Sequence, residues 1–553
     1  MWWTASDGNS LPFGKVGYTI KPHVGKHTRG HLQIRAAEID FVLNVLNRAD
    51  ANARSSDDKK PWIAPGHGAF EQGENFVRTP CTCEAGLAHA LEKRQRLDQK
   101  NRPWIIPERH FRGYKKELAE INKRLFAIAK AMGKPKPDYH DRPKKYSGTK
   151  RVHYEKCVDE HDAHPIGTRA GARIYTEGSV KWGELSERPR ALLVQSVRAK
   201  GTDSVKKGAV LRVPILIEGG YRDIQEDALH KFMHNKGFHY VASGMDLHKR
   251  ARVIKEMISP GDVVLSCDWS SFDGSLGDLA VAERQSFLDN CDKMFGRDRA
   301  LHEVIRTQNF CKVQAGPLRA EIYGNRGSGT AGTSTGNKIV VLSALFYALG
   351  PAMRGKDAVK LLCDGDDTLI IVPPQWQGQR WYDSWCRRLT ELGLETKIEQ
   401  QLTDTFECPA NETVRFCRAG VVETSRGPLL CKVPQDAIKV ATNFRRHFKG
   451  NYFQDYCSTL DVCLQGTYGD VPILSELAGL FRIGGKCDTN LLENSGIEYM
   501  IQRTKNKTVG EITSVHRWSF FRTWGVPPSL QVDCERALRE LAPKLHPLLV
   551  EYR

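Results

Sequence analysis

The chain lacks an apolar run of the length that a membrane span needs. Its longest apolar stretch runs from 339 to 349, whereas a transmembrane helix takes about 20 residues. The amino terminus also lacks the apolar core of a secretory signal peptide, because Met1-Trp2-Trp3 is followed by polar residues. We therefore expect no transmembrane segment in this chain, so that any membrane association comes from a partner, a surface patch or sequence missing from this chain.

Paired cysteines are also scarce. The 15 cysteines are scattered along the chain, without the CxxC pairs of a structural zinc site or the density of a secreted disulfide scaffold. This distribution favours a reduced, cytosolic protein.

Basic residues, in contrast, are in excess. Lys and Arg number 82 against 65 Asp and Glu, which gives a formal charge of +17 over 553 residues. That balance favours a polyanionic partner, because basic side chains release counterions from phosphates on binding. A merely basic protein would have the same charge, so the excess only raises the weight of nucleic-acid binding. The length predicts several subdomains.

Hydrophobic spacing predicts elements of both kinds. Apolar residues recur at helical spacing over 118–132, and the Pro- and Lys-rich stretch 134–145 that follows is typical of a loop. A β-rich run over 263–267 ends at Asp268. Further on, the spacing predicts a long apolar helix over 336–349 and an amphipathic helix over 381–392. The sequence therefore predicts an α/β fold.

An acidic turn separates two apolar runs further along the chain. Leu361-Leu362-Cys363 and Thr368-Leu369-Ile370-Ile371-Val372 flank Asp364-Gly365-Asp366-Asp367, which predicts a β-hairpin.

The carboxylates at these strand ends are candidate metal ligands. Nucleotidyl transfer uses two divalent cations roughly 3.5–4 Å apart, and Mg²⁺ prefers carboxylate and phosphate oxygens. Asp268 and Asp366 can converge although they are far apart in the chain, and Asp367 is a second acidic neighbour. An ordinary Asp-Gly turn facing water would explain the hairpin acids alone. The upstream strand ending at Asp268 favours the metal site.

Polar residues between these acids form a second pattern. Asp273 follows Asp268 by five positions, and Thr333 and Asn337 have the i, i+4 spacing of one helical face. Ser328 and Gly329 precede them, and Gly329 permits close approach of the backbone to a ligand. A Gly/Ser loop followed by a helix cap explains the glycines but not the whole register.

The ordered set resembles the motifs of RNA-dependent RNA polymerases of positive-strand RNA viruses, of the tombusvirus-like kind within the flavivirus-like supergroup. The resemblance covers about 185–540. It extends to Arg326-Gly327-Ser328-Gly329, to Val414-Arg415-Phe416-Cys417-Arg418 and to Arg517-Trp518-Ser519-Phe520-Phe521. Trp269 and Thr330 depart from the usual residues, which indicates a divergent relative.

The resemblance implies roles for individual residues. Asp268, Asp366 and Asp367 would be catalytic ligands of Mg²⁺, for which Mn²⁺ is a possible substitute. Lys397 would protonate pyrophosphate, although a plain surface lysine is an equal alternative.

Asp273 and Asn337 would bind the ribose, near Ser328, Gly329 and Thr333. Phe416, Cys417 and Arg418 would bind RNA. Arg190 would bind triphosphate, although the motif around it is incomplete and a solvated basic loop is the alternative.

The same resemblance implies a right-hand architecture with an α+β palm. The expected parts are an amino-terminal basic region or fingers extension over 1–150, fingers over 151–260, a palm over 261–430 with a fingers insertion at 275–325, and a thumb over 431–553. The implied function is RNA-templated RNA synthesis in viral genome replication and transcription. Its expected partners are template and product RNA, ribonucleoside triphosphates and a membrane-anchored viral replication protein. Its expected location is the host cytoplasm, at membrane-associated replication sites.

Two other classes of protein remain open at this point. A reverse transcriptase or maturase shares the acidic palm, but it typically has an aromatic residue before the paired aspartates, where this chain has Gly365. A non-catalytic basic RNA-binding protein would explain the charge but not the ordered motifs.

Overall fold

A computed structural model of the chain describes the following residues: 2–4, 10–12, 31–33, 36–54, 76–77, 105–146, 148–163, 165, 177–181, 194–198, 204–235, 239–269, 272–315, 318–324, 326, 330–355, 357–404, 410–444, 452–487 and 509–551. The chain divides into two compact units. The first comprises Met1–Lys26, Pro80–Ala242 and Leu265–Glu399, and the second comprises His27–Thr79, Ser243–Val264 and Gln400–Arg553.

The helices follow one another along the chain as α1 Ala37–Arg54, α2 Glu108–Ala131, α3 Gly148–Ala163, α4 Ser204–Asn235, α5 Leu247–Met257, α6 Phe272–Ser275, α7 Gly277–Phe295, α8 Arg299–Asn309, α9 Gly332–Leu349, α10 Gln379–Glu391, α11 Ala410–Thr413, α12 Pro434–Ala441, α13 Tyr452–Tyr468, α14 Ser475–Gly479, α15 Ser514–Trp524 and α16 Pro528–Glu551. Short 3₁₀ helices are Tyr139–Lys145, Gly350–Met353 and Pro374–Trp376.

The strands are β1 Trp2–Thr4, β2 Ser10–Pro12, β3 His31–Gln33, β4 Phe76–Val77, β5 Glu177–Lys181, β6 Val194–Arg198, β7 His239–Val241, β8 Val263–Trp269, β9 Phe310–Ala315, β10 Leu318–Tyr323, β11 Lys360–Asp364, β12 Asp367–Val372, β13 Thr396–Thr403, β14 Arg415–Phe416, β15 Ala419–Val422, β16 Leu429–Lys432 and β17 Asn443–Phe444. The predicted mixture of helix and sheet is confirmed.

Two sheets belong mainly to the first unit. One has the order β2-β1-β10-β9-β5-β6, and the other has the order β13-β8-β12-β11-β7. In the second of these sheets, β11 pairs antiparallel with β12 and parallel with β7. Consecutive residues of β12 are buried from Thr368 to Val372. Burial of successive residues means that both faces of this strand are covered, as is typical of a central strand.

Helix α9 is the core helix of the first unit. Nearly all of its residues are buried, including Ile339-Val340-Val341-Leu342. The stretch Gly332–Met353 is long and apolar enough by composition to cross a membrane, yet 78% of its most apolar window is buried inside the protein. A helix that is apolar on all sides is typical of a protein core as well as of a membrane, and α9 packs against α2, α7 and α10.

The predictions for the amino-terminal third have different outcomes. The apolar spacing over 118–132 does form a helix, because α2 buries Leu118, Ile121 and Leu125 on one face. The stretch predicted as a loop is wrong in part, since Tyr139–Lys145 forms a 3₁₀ helix. Asp138 caps this helix by accepting a hydrogen bond from the backbone N–H of His140. A capping carboxylate provides a hydrogen-bond partner for a free N–H at the start of a helix, and composition alone does not reveal this contact.

The second unit has its own hydrophobic core and two short sheets. The core combines side chains of α1, α12, α13, α14 and α16, among them Val42, Leu460 and Leu538. The sheets have the orders β14-β15-β16 and β17-β3-β4.

A strained turn connects β14 to β15. Phe416 pairs with Ala419, and the two residues between them, Cys417 and Arg418, have φ angles of 53° and 55°. Positive φ at both central residues defines a type I′ turn, which normally carries Asn or Gly. The side chain of Arg418 instead pairs with Asp436 at 2.9 Å. Two bulky residues therefore hold a left-handed backbone that costs about 1–2 kcal/mol each.

Replacing Arg418 by glycine should stabilise the protein. The change relieves left-handed strain of about 1–2 kcal/mol and loses a half-exposed ion pair, which contributes about 0.2–1 kcal/mol. We expect Arg418→Gly to raise the free energy of unfolding by about 1 kcal/mol, measured by urea denaturation. Arg418→Ala is the matched control, because it loses the ion pair and keeps the strain. Equal stability of the two variants would contradict this account.

Close contact between α2 and α9 leads to a second prediction. A Cβ on Gly113 would lie 2.2 Å from Cε2 of Tyr347, whose hydroxyl is hydrogen-bonded to His110 at 2.7 Å. Gly113→Ala should lower the free energy of unfolding, because overpacking costs about 1–3 kcal/mol and outweighs the gain in helix propensity. Gly479→Ala is the control, since nothing lies within 4 Å of its Cβ position. A stabilised Gly113→Ala variant in the same urea titration would refute the contact.

Candidate active site

The hairpin predicted around the paired aspartates is present. Asp364 of β11 pairs with Asp367 of β12, so the loop has only two residues, Gly365 and Asp366. Gly365 has a φ of 75°, whereas the φ angle of Asp366 is not positive. This combination is a type II′ turn, whose first central position favours glycine. Glycine therefore lets the chain reverse immediately before Asp366, and the hairpin acids are all half-buried.

Asp268 lies on the strand beside this hairpin. It is the penultimate residue of β8 and is half-buried, whereas its neighbours in the sequence, Cys267 and Trp269, are buried. Strand β8 is hydrogen-bonded to β12. The pKa of the Cys267 thiol is raised, mainly by burial and to a smaller extent by nearby groups that include Cys363. Because β8 is the neighbour of β12 in the sheet, Asp268 and the first residue of β12, Asp367, belong to adjacent strands.

Thr333 and Asn337 lie on the first two turns of α9. Their i, i+4 spacing places both on one helical face, as the sequence predicted. Thr333 is half-buried, and Asn337 is buried with 6% of its surface exposed. The backbone of Asp273 belongs to the short helix α6, but its side chain lies outside the described residues. Ser328 and Gly329 also lie outside them.

Lys397 is located on the edge strand β13, next to β8. Its side chain is 65% exposed, and its Nζ lies 3.9 Å from Oε1 of Glu399, on the same strand face. This is the environment of a surface lysine. A role in protonating pyrophosphate stays a prediction.

The residues assigned to RNA binding belong to the second unit. Phe416 is buried with 1% exposure, so its ring stabilises the turn rather than presenting a face to a ligand. Cys417 and Arg418 form the tip of that turn, where Cys417 is half-buried and half of the Arg418 side chain is exposed. Arg190, assigned to triphosphate binding, lies outside the described residues.

A buried ionic cluster beneath α9 was not predicted. Glu283 of α7 receives hydrogen bonds from Arg222 of α4 at 2.5 Å and from Arg326 at 3.0 Å. Arg222 also donates to Glu218 at 2.9 Å, and these four side chains are at most 2% exposed. The i, i+4 spacing of Glu218 and Arg222 was visible in the sequence. No spacing, however, indicated that Glu283 and Arg326 would join them.

The charges of this cluster depend on one another. Burial alone would raise the pKa of Glu283, but the guanidinium groups of Arg222 and Arg326 outweigh burial and lower that pKa to about 2. Glu283 is therefore a carboxylate at neutral pH. Burial, and then the positive charge of Arg326, lower the pKa of Arg284 to about 9.

The hairpin acids suit a metal that arrives with its substrate. Among the described residues, no three His, Cys, Asp or Glu side chains are close enough to enclose an ion. Mg²⁺ is commonly held by one or two carboxylates together with substrate phosphates and water. Asp268, Asp366 and Asp367 supply hard oxygen donors of this kind, so the donor set fits Mg²⁺ shared with a triphosphate better than a resident structural ion.

Comparison with known proteins gives consistent results. A putative RNA-directed RNA polymerase of Barley yellow dwarf virus (isolate P-PAV) is 23% identical over 410 residues, which are 71% of this chain and 43% of the viral protein. The genome polyprotein of Simian hepatitis A virus genotype V (isolate AGM-27) is 34% identical over 152 residues, or 26% of this chain and 7% of the polyprotein. The chain thus spans less than half the length of these curated relatives. The family model described as viral RNA dependent RNA polymerase matches residues 217–546, more than half of the chain. The chain therefore belongs to the viral RNA-dependent RNA polymerase family.

Proposed function

We propose that this chain synthesises RNA on an RNA template by two-metal nucleotidyl transfer from ribonucleoside triphosphates. The observation that carries the proposal is the two-residue hairpin that holds Asp366 at its turn, on the strand pair next to the strand that carries Asp268. Membership of the family supports it. The alternatives of a reverse transcriptase and a non-catalytic RNA-binding protein are not favoured by the family or by the names of the relatives.

The aspartates would act mainly by positioning and by charge. When bound, divalent cations supply Lewis-acid activation of the attacking 3′-hydroxyl and neutralise charge on the leaving pyrophosphate. Asp268 and Asp366 would hold the ions, and Asp367 would support them. Because the hairpin turn has only two residues, Asp366 has little freedom to move relative to β11 and β12. A preorganised carboxylate of this kind lowers the cost of reaching the transition state.

Other residues would select and orient the substrates. Asn337, with Asp273 and Thr333, would bind the ribose, whose 2′-hydroxyl both donates and accepts hydrogen bonds and so distinguishes RNA from DNA precursors. Ser328 and Gly329 would line the nucleotide-binding site.

Charged residues elsewhere would act on the phosphates and on RNA. Arg190 would bind the triphosphate, and Lys397 would donate a proton to pyrophosphate. At the exposed turn of the second unit, Cys417 and Arg418 would contact the RNA backbone, with Phe416 as their buried support.

The family implies a right-hand arrangement with a palm. We infer that the palm spans about 261–430, with a fingers insertion at 275–325, and that fingers occupy 151–260. The thumb would span 431–553, and 1–150 would extend the fingers.

The cellular setting is a further proposal. Template and product RNA and ribonucleoside triphosphates are the substrates that the family implies. We infer that replication takes place in the host cytoplasm, at membranes to which a viral replication protein anchors this chain.

Loss of Asp366 tests the proposed chemistry. Asp366→Asn keeps the shape of the turn and removes the charge, so we expect incorporation of labelled ribonucleotides on an RNA template to fall at least about 100-fold, with RNA affinity unchanged. Asp268→Asn should behave in the same way. Asp383→Asn is the matched control, because Asp383 is an exposed acid on α10 whose carboxylate accepts a hydrogen bond from Gln379 at 2.8 Å. Full activity of Asp366→Asn would refute the proposed metal site.

The affinity for metal gives an independent test. Since the described side chains form no three-ligand cage, we expect Mn²⁺, used as a paramagnetic probe, to bind weakly to the protein alone. Addition of a ribonucleoside triphosphate and RNA should tighten binding, because phosphate oxygens complete the coordination. Electron paramagnetic resonance of free Mn²⁺ measures both states. Tight binding without nucleotide, retained in Asp366→Asn, would contradict the shared site.

A further inference from the structure

The buried cluster around Glu283 contacts the amino-terminal turns of α9 directly. A Cβ on Gly336 would lie 2.8 Å from both Nη1 and Nη2 of Arg326, and a Cβ on Gly332 would lie 2.9 Å from Oε1 of Glu218. Gly332 and Gly336 are one turn apart on one helical face. The first turns of α9 therefore lie on charged side chains, at a distance that only glycine permits.

This contact fixes the face that carries the candidate ribose-binding residues. Thr333 and Asn337 each follow one of these glycines by one position, so they lie about 100° further round the same turns. A small rotation or shift of the helix start moves both side chains together. The guanidinium of Arg326 contacts the helix at these same turns.

Arg326 is held in turn by Glu283. Its Nη2 donates to Oε2 of Glu283 at 3.0 Å, whereas its Nε and Nη1 are buried and have no hydrogen-bond partner within the described part of the chain. The Glu283 carboxylate is thus the group that holds the guanidinium of Arg326 in place. Arg222 holds that carboxylate from the other side, and its own guanidinium stacks 3.7 Å from the ring centroid of Phe287.

We propose that Glu283 is a positioning residue for nucleotide selection: by fixing Arg326 it sets the orientation of the start of α9 and hence the fit of Thr333 and Asn337 to a ribonucleotide. The inference rests on the proposed function, because it assigns selectivity to the same site. Arg326 also precedes Ser328 and Gly329 by two and three positions in the sequence.

Two variants disturb this anchor by different routes. Glu283→Gln removes the charge that holds Arg326 and keeps the size of the side chain. Gly336→Ala keeps every charge and displaces the guanidinium by steric contact, and alanine favours the helix. Glu283→Asp is the conservative variant, because it retains a carboxylate. Asp470→Asn is the matched control: Asp470 is a fully buried carboxylate of the second unit, bonded to Arg426 at 2.5 Å and to Ser425 at 2.6 Å.

The experiment measures kcat and KM for a ribonucleoside triphosphate and for its 2′-deoxy analogue on the same RNA template, with the full chain. We expect Glu283→Gln and Gly336→Ala to lower the ratio of kcat/KM for the ribonucleotide to kcat/KM for the deoxy analogue about tenfold or more. A misplacement of about 1 Å can lower a rate by up to about 100-fold. KM for the ribonucleotide should rise while RNA affinity is unchanged. Glu283→Asp should recover part of the ratio. Asp470→Asn should lower the unfolding temperature and leave the ratio unchanged.

The outcomes separate the inference from the proposed function. If the wild-type chain makes no template-dependent RNA, the proposed function fails and the inference fails with it. If the wild-type chain is active and both variants lose rate with an unchanged ratio, the cluster is only structural and the inference is overturned. An equal loss of the ratio in Asp470→Asn would overturn it too. Should Glu283→Gln fail to fold, Gly336→Ala decides alone.

Discussion

The candidate site depends on the hydrogen bonds that Arg222 and Arg326 donate to the carboxylate of Glu283. This carboxylate lies between Arg222 and Arg326, out of contact with water, and so connects α4, α7 and the segment before α9. Removing charges from water is expensive, and a buried ion pair often contributes little net stability compared with apolar residues of the same size. Its value here is geometric, because several hydrogen bonds to one carboxylate allow few alternative arrangements of the three segments.

The same cluster has an unequal balance of charge. Among the described residues of the cluster, three guanidinium groups (Arg222, Arg284 and Arg326) accompany two carboxylates (Glu218 and Glu283), and all five side chains are buried. The excess is partly offset by neutral acceptors: Arg284 donates to the backbone carbonyls of Gln308 and Gly324 at 3.3 Å and 3.1 Å. Loss of negative charge from such a group is costly, because an unpaired buried charge costs more free energy than an unpaired polar group.

Rigid elements carry the candidate metal site, whereas the strained turn belongs to the second unit. The turn at Gly365 adopts positive φ without steric cost, so the hairpin acids are held by an unstrained backbone. The turn at Cys417 and Arg418 adopts the same kind of conformation with side chains that disfavour it. Observed strain of this kind often accompanies a functional surface, which agrees with the proposed contact between that turn and RNA.

The sequence by itself determined the local elements of the site. Alternation, turn chemistry and helical spacing are properties of neighbouring residues, so the hairpin around Asp366, the strand before Asp268 and the shared face of Thr333 and Asn337 could all be predicted. Only the tertiary structure decided the sheet order, the surface position of Lys397 and the burial of Phe416. It also decided the cluster of Glu283 with Arg326. These features depend on contacts between residues distant in the chain, and a charged side chain carries no local signal that its partner will be buried beside it.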